Sequence, residues 1–335
     1  MQYSVLLSLY YKEKPEYLRE ALDSIFCQTL PSDDVVLVED GEVGDALECV
    51  VREYEVRYPQ LHVVRYEENR GLGYALNEGL KHCKHELVAR MDTDDIAKSQ
   101  RMEKEVQCMQ EHRDLAVVGS WIDEFVGDVE NIVSLRKLPK ESLEIYDFGK
   151  RRNPINHPTV MFRKEAVMNV GGYLPYPLFE DYYLWARMLK AGYKFYNIQE
   201  SLLFFRVSPA MYNRRGGWKY AIDEAKFMLT MHRIGYIDKP TTIMNILRRV
   251  PVRIIPNKIR NLIYTSIPQP IGFSGILLAK RQNSFYCTYF LHNRNVADTK
   301  SPYPIKRLEV IRRFNQKSIF LTKVSLEQVG ISIVV

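Results

Sequence analysis

The chain opens on an apolar run, Tyr3 to Leu9, broken only by Ser4 and Ser8. A run without polar alternation predicts a strand buried on both faces of a parallel sheet. Behind it Leu18, Leu22, Ile25 and Phe26 recur at helical spacing, and Pro15 stands where a first helical turn tolerates its missing N–H. The two patterns then alternate. Val35 to Val38 is a short buried strand ending in Glu39-Asp40-Gly41, a helix is expected from about Gly44 to Tyr58, and Leu61 to Tyr66 reads as a third strand. Asn69-Arg70-Gly71 opens a helix with Leu72, Ala75, Leu76, Gly79, Leu80 and Cys83 on one face. Glu86 to Met91 is a fourth strand, running into Asp92-Thr93-Asp94-Asp95.

Three β-α units followed by a strand, with polar residues just past the strand ends, predict a doubly wound, mostly parallel α/β sheet. Ligands of such sheets bind outside the carboxyl ends of the strands, so Tyr10, Asp40 and Asp92 are expected to converge. Further on, Met102, Val106 and Met109 mark a helix and Leu115 to Val118 a strand, and the pattern weakens from Trp121 to Asn153. Thr159 to Phe162 reads as a strand. Glu180 to Ala191 reads as a helix with Leu184, Trp185, Met188 and Leu189 along one side. The expected organisation is a domain over 1–235 in two halves (1–98 and 99–235), then a basic, partly helical C-terminal region over 236–335.

Composition narrows the class. With 335 residues, 46% hydrophobic and 26% charged, the chain is neither collagen-like nor disordered. Its five cysteines form no C-x-x-C pair, which argues against a zinc or thioredoxin site and for reduced thiols in the cytosol. No Lys or Arg precedes the first apolar run, as a secretion signal would require, and no apolar stretch reaches the ~20 residues of a membrane span. The net charge of +6 is unevenly placed: Lys239 to Ala297 holds nine Lys and Arg and no acid. Interleaved with Ile246, Leu247, Val250 and Ile254, that block suits an anionic membrane surface. A solvated basic face is the alternative, and nucleic acid is not expected because no base-reading module is present.

Among candidate chemical groups, Asp92, Asp94 and Asp95 crowd three carboxylates at a strand end. Such crowding favours a hard divalent cation, Mg or Mn, while a solvated helix-capping turn is the plainer reading. An EF-hand is excluded because Ala97 stands where its sharp turn needs glycine. In Phe179-Glu180-Asp181 a carboxylate opens a helix, where backbone N–H groups hold it ionised as a general base must be; a simple cap is the alternative. His157, before a buried strand, is either structural or a ligand contact, and His82 and His85 read as surface residues without nearby carboxylates. After the first strand Ser8 to Glu13 supplies no G-x-G-x-x-G, which disfavours a dinucleotide-binding dehydrogenase.

Seven short segments, in order over about the first 205 residues, carry a family resemblance. They are Ser4 to Tyr10, Ser24 to Thr29, Val38 to Gly41, Asn69 to Gly73, Met91 to Ile96, His157 to Thr159 and Glu180 to Trp185. Together they resemble the inverting family 2 glycosyltransferases of GT-A fold, in the bacterial exopolysaccharide and O-antigen branch. The resemblance implies a metal-dependent transfer of a sugar from a nucleotide diphosphate, UDP above all, to a hydroxyl of a lipid-linked saccharide. It implies a peripheral place on the cytoplasmic face of the bacterial plasma membrane. It places Ser8, Leu9, Tyr10 and Asp40 in the pocket for base and ribose, with Arg70 also at the nucleotide. Asp92 falls near ribose and metal, Asp94 on the Mn or Mg ion, and Asp181 becomes the catalytic base. Glu13, Thr93, His157 and Glu180 are additional candidates around them. The rival readings are a Mg-dependent phosphate hydrolase with Asp92 as nucleophile, and a non-catalytic saccharide- or membrane-binding shell.

Overall fold

The computed structural model describes residues 1–207 and 216–254, with the backbone of five short strands beyond them. The first half follows the apolar pattern closely. Strand β1 (Tyr3–Leu9) leads through α1 (Pro15–Phe26) to β2 (Asp34–Asp40), then through α2 (Asp45–Arg57) to β3 (Leu61–Tyr66) and through α3 (Leu72–His82) to β4 (Leu87–Asp92). β1 pairs in parallel with β2 on one side and β4 on the other, and β2 pairs in parallel with β3. The chain therefore reverses its winding between β1 and β4, which opens a crevice past the ends of those strands.

The remaining strands extend this sheet with mixed directions. After the two-residue β5 (Ile96–Ala97) come α4 (Arg101–Glu111), β6 (Leu115–Phe125), β7 (Ile132–Arg136), α5 (Ser142–Gly149) and β8 (Met161–Arg163). They are followed by α6 (Lys164–Asn169), α7 (Glu180–Lys190) and β9 (Lys194–Arg206). The order is β3-β2-β1-β4-β8-β6-β9-β5, with β7 paired to β6. β6 runs seven residues past the expected Val118 because β7 and β9 pair with its more polar second half. The strand expected at Thr159 starts only at Met161: Pro158 cannot donate to a ladder, and His157–Thr159 forms a 3-10 turn.

Strand alternation divides the core. Val5, Leu7 and Leu9 face a cluster with Leu18, Leu22, Val51 and Met102, whereas Leu6 faces α3 and the cluster around Trp185 and Phe195. α3 lies against the sheet so closely that a Cβ at Gly79 would stand 2.3 Å from Leu6 Cδ1 and 2.7 Å from Val38 Cγ2. That is why the apolar face of α3 carries a glycine at its centre.

Two further helices, α8 (Trp218–Arg233) and α9 (Lys239–Ile254), pack against each other and belong to the compact unit Met1–Ser266. Their junction corrects one expectation about the basic block. Arg249 and Arg253 turn onto Glu224, which is fully buried, with Nε to carboxylate distances of 2.8 Å each. The acid-free count from Lys239 onward misses this partner because it lies on the preceding helix. A second unit, Ile267–Val335, contains the antiparallel strands β10 (Leu277–Arg281), β11 (Ser284–Thr288) and β12 (Ile311–Phe314), and a hairpin of β13 (Val324–Leu326) with β14 (Ile331–Ile333). Lys258, Arg260 and Arg294 of the basic block lie outside the described residues. Among the described residues no helix is long and apolar enough to cross a membrane.

Candidate active site

The register of the parallel strands sets the site. Ser8 of β1 stands opposite Asp92 of β4, and Leu9 opposite Glu39 of β2, so Tyr10, Asp40 and Asp92 follow adjacent strand ends as expected. Leu9 is fully buried in the core and presents no side chain at these strand ends. Tyr10 is half-buried, and its carbonyl accepts the Glu13 N–H at 3.1 Å, turning the chain at the mouth of the crevice. Thr93 Oγ1 donates to the Ser8 carbonyl at 3.3 Å and ties the acidic turn to β1.

Asp40 is buried and acts locally. Its Oδ1 accepts the Arg70 N–H at 2.7 Å and the Tyr66 hydroxyl at 2.8 Å, and its Oδ2 accepts the Gly71 N–H at 2.9 Å. Three of about four acceptor positions of the carboxylate are thus spent on shaping the 69–71 loop. Gly41 makes the approach feasible: its φ is +83° and a Cβ there would lie 2.6 Å from the Asn69 nitrogen. Arg70 is exposed, with its guanidinium 3.7 Å above the Tyr74 ring.

At the end of β4, one carboxylate oxygen from each of Asp92, Asp94 and Asp95 lies within 4.8 Å of the others. Burial first, then the charges of Asp92 and Glu13, push the Asp94 carboxyl up to about 7. Asp95 is pushed well above the usual range by burial and by Asp94 and Asp92, and burial raises Glu13 as well. Asp95 Oδ1 accepts the Arg206 N–H at 2.9 Å, while its buried Oδ2 has no hydrogen-bond partner among the described residues. No ion pair to Asp94 occurs among the described residues. Crowded oxygens, raised proton affinity and an orphaned buried oxygen together suit a hard divalent cation.

The site also contains charges that the motifs did not flag. Arg90, on the same strand face two residues before Asp92, is buried at 1% exposure and holds both Asp92 oxygens with its guanidinium fork. Its carbonyl accepts from Arg101, which pairs with buried Glu105 at 2.9 Å. Arg206, at the end of β9, donates from Nε to the Asp94 carbonyl at 2.9 Å and reaches Glu20 and the Gly127 carbonyl. Arg90 was legible as an arginine inside an apolar strand. Arg206 carried no signal, because its partners are remote in sequence.

Asp181 opens α7, where Oδ1 accepts the Tyr182 N–H at 2.7 Å and Oδ2 accepts the Asn153 amide at 2.6 Å. Burial nonetheless raises its proton affinity; these two hydrogen bonds and the charges of Arg90 and Arg136 act in the opposite direction. A carboxylate so placed is a better proton acceptor than the fully stabilised one the sequence suggested. Asn153 comes from the weakly patterned stretch and was missed for that reason. Glu180 is half-buried, pushed up to about 6 by burial, and its Cγ lies 3.5 Å from where a Cβ of Gly73 would stand, so the start of α7 abuts the start of α3.

His157 is buried behind this layer. Its Nε2 lies 2.9 Å from the Tyr173 hydroxyl and its ring meets Trp185 edge-on. Burial and the Arg90 charge hold it neutral, its pKa well below the usual histidine range. His82 and His85 do have carboxylates close by, Glu78 at 3.8 Å and Asp33 at 2.7 Å, which corrects the sequence reading. His85 precedes β4 and so sits at the end of the strand away from the acidic turn.

Comparison with known proteins identifies the family. The sequence matches the family described as Glycosyl transferase family 2 over residues 4–171. It is 39% identical over 266 residues to the UDP-Gal:alpha-D-GlcNAc-diphosphoundecaprenol beta-1,3-galactosyltransferase of Escherichia coli, covering 79% of this chain and 96% of that protein. It is 38% identical over 265 residues to the amylovoran biosynthesis glycosyltransferase AmsE of Erwinia amylovora, covering 78% and 97%. Among solved structures, mannosyltransferase PcManGT from Pyrobaculum calidifontis, in complex with GDP-Man and Mn2+, aligns with a TM-score of 0.54 at 18% identity over 79% of this chain and 73% of that one. S. aureus TarS 1-349 in complex with UDP-GlcNAc aligns with a TM-score of 0.50 at 18% identity over 68% and 66%. The two structural likenesses establish the GT-A fold. The sequence matches establish more: the chain belongs to glycosyltransferase family 2 and is a glycosyltransferase of polysaccharide biosynthesis.

Proposed function

We propose that the protein transfers a hexose, with inversion, from a UDP-sugar to a hydroxyl of a lipid-linked saccharide, using Mn or Mg, at the cytoplasmic face of the membrane. The observation that carries this reading is the placing of two differently supported carboxylate systems. One is the acidic turn Asp92-Asp94-Asp95 at the reversal between β1 and β4; the other is Asp181 on α7, with Arg90 acting electrostatically on both. The Escherichia coli relative, whose name specifies UDP-Gal and a diphosphoundecaprenol acceptor, supports the choice of substrates.

In this reading Ser8, Tyr10, Arg70 and the loop held by Asp40 line the nucleotide, and Asp94 with Asp92 and Asp95 would hold the cation. A bound Mn or Mg supplies charge neutralisation at the departing diphosphate. Asp181 accepts the proton of the acceptor hydroxyl, the freed oxygen lone pair attacks the anomeric carbon, and the bond to the diphosphate oxygen breaks with its electrons leaving on that oxygen. Asn153 and the Tyr182 N–H fix the carboxylate during this step. Arg90 keeps Asp92 aligned with its fork. In this reading the donor contacts fall in a nucleotide-binding half, residues 1–98, and the base in an acceptor half, residues 99–235.

A thermal-shift series with UDP-, GDP- and dTDP-sugars in Mn tests the donor, since a ligand of the folded state raises apparent stability by mass action. UDP-galactose is expected to give the largest shift. A larger shift with a GDP-sugar contradicts the nucleotide assignment.

A further inference from the structure

Helix α9 is amphipathic in the reverse sense of a core helix. Its inward face is largely polar: beside Ile246, which packs against the core, Thr242 and Asn245 are buried, Asn245 Nδ2 donates to the Lys150 carbonyl at 2.8 Å, and Arg249 donates to the Arg151 carbonyl at 2.8 Å and to Glu224. Its outward face is apolar: Ile243, Met244 and Leu247 are 50%, 46% and 64% exposed, and Pro240 and Pro251 are exposed with them. At about 100° per residue these five positions share one side of the helix, with exposed Lys239 and Arg248 at its two margins. A helix fastened by hydrogen bonds and ion pairs gains nothing within the domain from three large exposed apolar side chains.

Charge identifies what covers them. Residues 218–254 carry seven Lys and Arg against three acids, and one acid, Glu224, is enclosed by Arg249 and Arg253. The cations that remain outward, Lys219, Lys226, Arg233, Lys239 and Arg248, are all exposed. Trp218, 68% exposed, follows Gly217, whose N–H donates to the Arg253 carbonyl at 2.8 Å, so an aromatic side chain stands beside the end of α9. An apolar stripe edged by cations and accompanied by tryptophan matches the chemistry of an anionic lipid interface.

We propose that the outward face of α9 docks on anionic phospholipid. The contact has a consequence for the reaction. The carbonyls gripped from the inner face of α9 belong to Lys150 and Arg151, and Asn153, two residues on, donates to Asp181. The lipid-facing helix thus braces the segment that positions the base for a lipid-linked acceptor. This link rests on the acceptor reading above, whereas lipid docking is measured without any sugar.

The test is co-sedimentation of the full chain with vesicles of phosphatidylcholine alone and of phosphatidylcholine with phosphatidylglycerol, at low and high salt. The wild type is expected to partition onto the anionic vesicles and to lose that binding with salt. The doubly substituted Ile243→Glu, Leu247→Glu protein is expected to bind about tenfold less or weaker. Its thermal shift with UDP and Mn should be unchanged, because neither residue touches the site. Leu247→Trp guards against a folding defect: it should add an emission component quenched by brominated phosphatidylglycerol. Equal binding to neutral vesicles, unchanged binding of the double variant, or absence of quenching overturns the proposal. So does a wild-type dimer in sedimentation velocity that dissociates on the double substitution without any vesicle binding, which would assign the face to a second copy of the chain.

Discussion

Replacing Arg90 by methionine keeps an unbranched apolar stem in its place and removes the charge and fork. Arg90 is 1% exposed and the Asp92 side chain 33%, so this is a pair buried on one side and wetted on the other. Breaking a fully buried pair costs about 3–5 kcal/mol; partial hydration of Asp92 reduces that to about 2–3 kcal/mol. The remaining cost is the repulsion of an unpaired Asp92 against Asp94 and Glu13, whose mutual charges already raise the Asp94 pKa. A bound dication relieves the same repulsion, so the loss in Arg90→Met should be largest without metal and smaller in Mn. Urea unfolding of the wild type and the variant, each with EDTA and with Mn, measures both numbers. An identical loss under the two conditions would refute the reasoning, since the arginine would then serve packing and not the acidic turn. A loss below about 0.5 kcal/mol without metal would refute it as well.

Asp94→Asn should leave the fold intact and, if Asp94 holds the cation as proposed, largely abolish Mn-dependent binding of UDP, read by calorimetry, because Asp94 stands half-buried in the turn after β4 with no ion pair among the described residues. Glu224 has a pKa held below the usual carboxylate range by Arg253 and Arg249 despite the opposing effect of burial. A lowered folded-state pKa means stabilisation that is present above the unfolded value of ~4.3 and lost as pH falls through the folded one. Melting temperatures from neutral to acid pH should therefore fall more steeply for the wild type than for Glu224→Gln; parallel curves would contradict this.

The parallel half of the sheet was legible because its strands are buried on both faces and leave continuous apolar runs, as at Tyr3 to Leu9. β6 and β9 were read short or not at all. Their outer halves mix polar and apolar residues such as Asp123, Glu124, Asn197 and Glu200, and only pairing between strands some seventy residues apart makes them strands. At the site, Asp92, Asp94 and Asp181 could be read because each sits at the end of a patterned element. What those elements bring to them could not. Asn153 reaches the Asp181 carboxylate from 28 residues away, and Arg206 reaches the Asp94 backbone carbonyl from 112. Asp40, expected at the nucleotide, accepts three hydrogen bonds from Tyr66 and the 69–71 loop, contacts that only geometry reveals.

The measurement that bears most directly on the central claim is sugar transfer and donor affinity on the same purified Asp181→Asn protein. Asparagine preserves the shape of the side chain and can still accept the Tyr182 N–H, and a flip of the Asn153 amide turns its oxygen toward the new NH2, so the start of α7 should be unaltered. It cannot take a proton from the acceptor hydroxyl. In the proposed reaction, assayed with UDP-galactose and an undecaprenyl-diphosphate-linked GlcNAc acceptor, transfer should fall by about two orders of magnitude or more, with UDP and Mn affinity within about twofold of the wild type. Near-normal transfer would contradict the account by reducing Asp181 to a cap. Joint loss of transfer and donor affinity would contradict it differently, by moving Asp181 into the donor site.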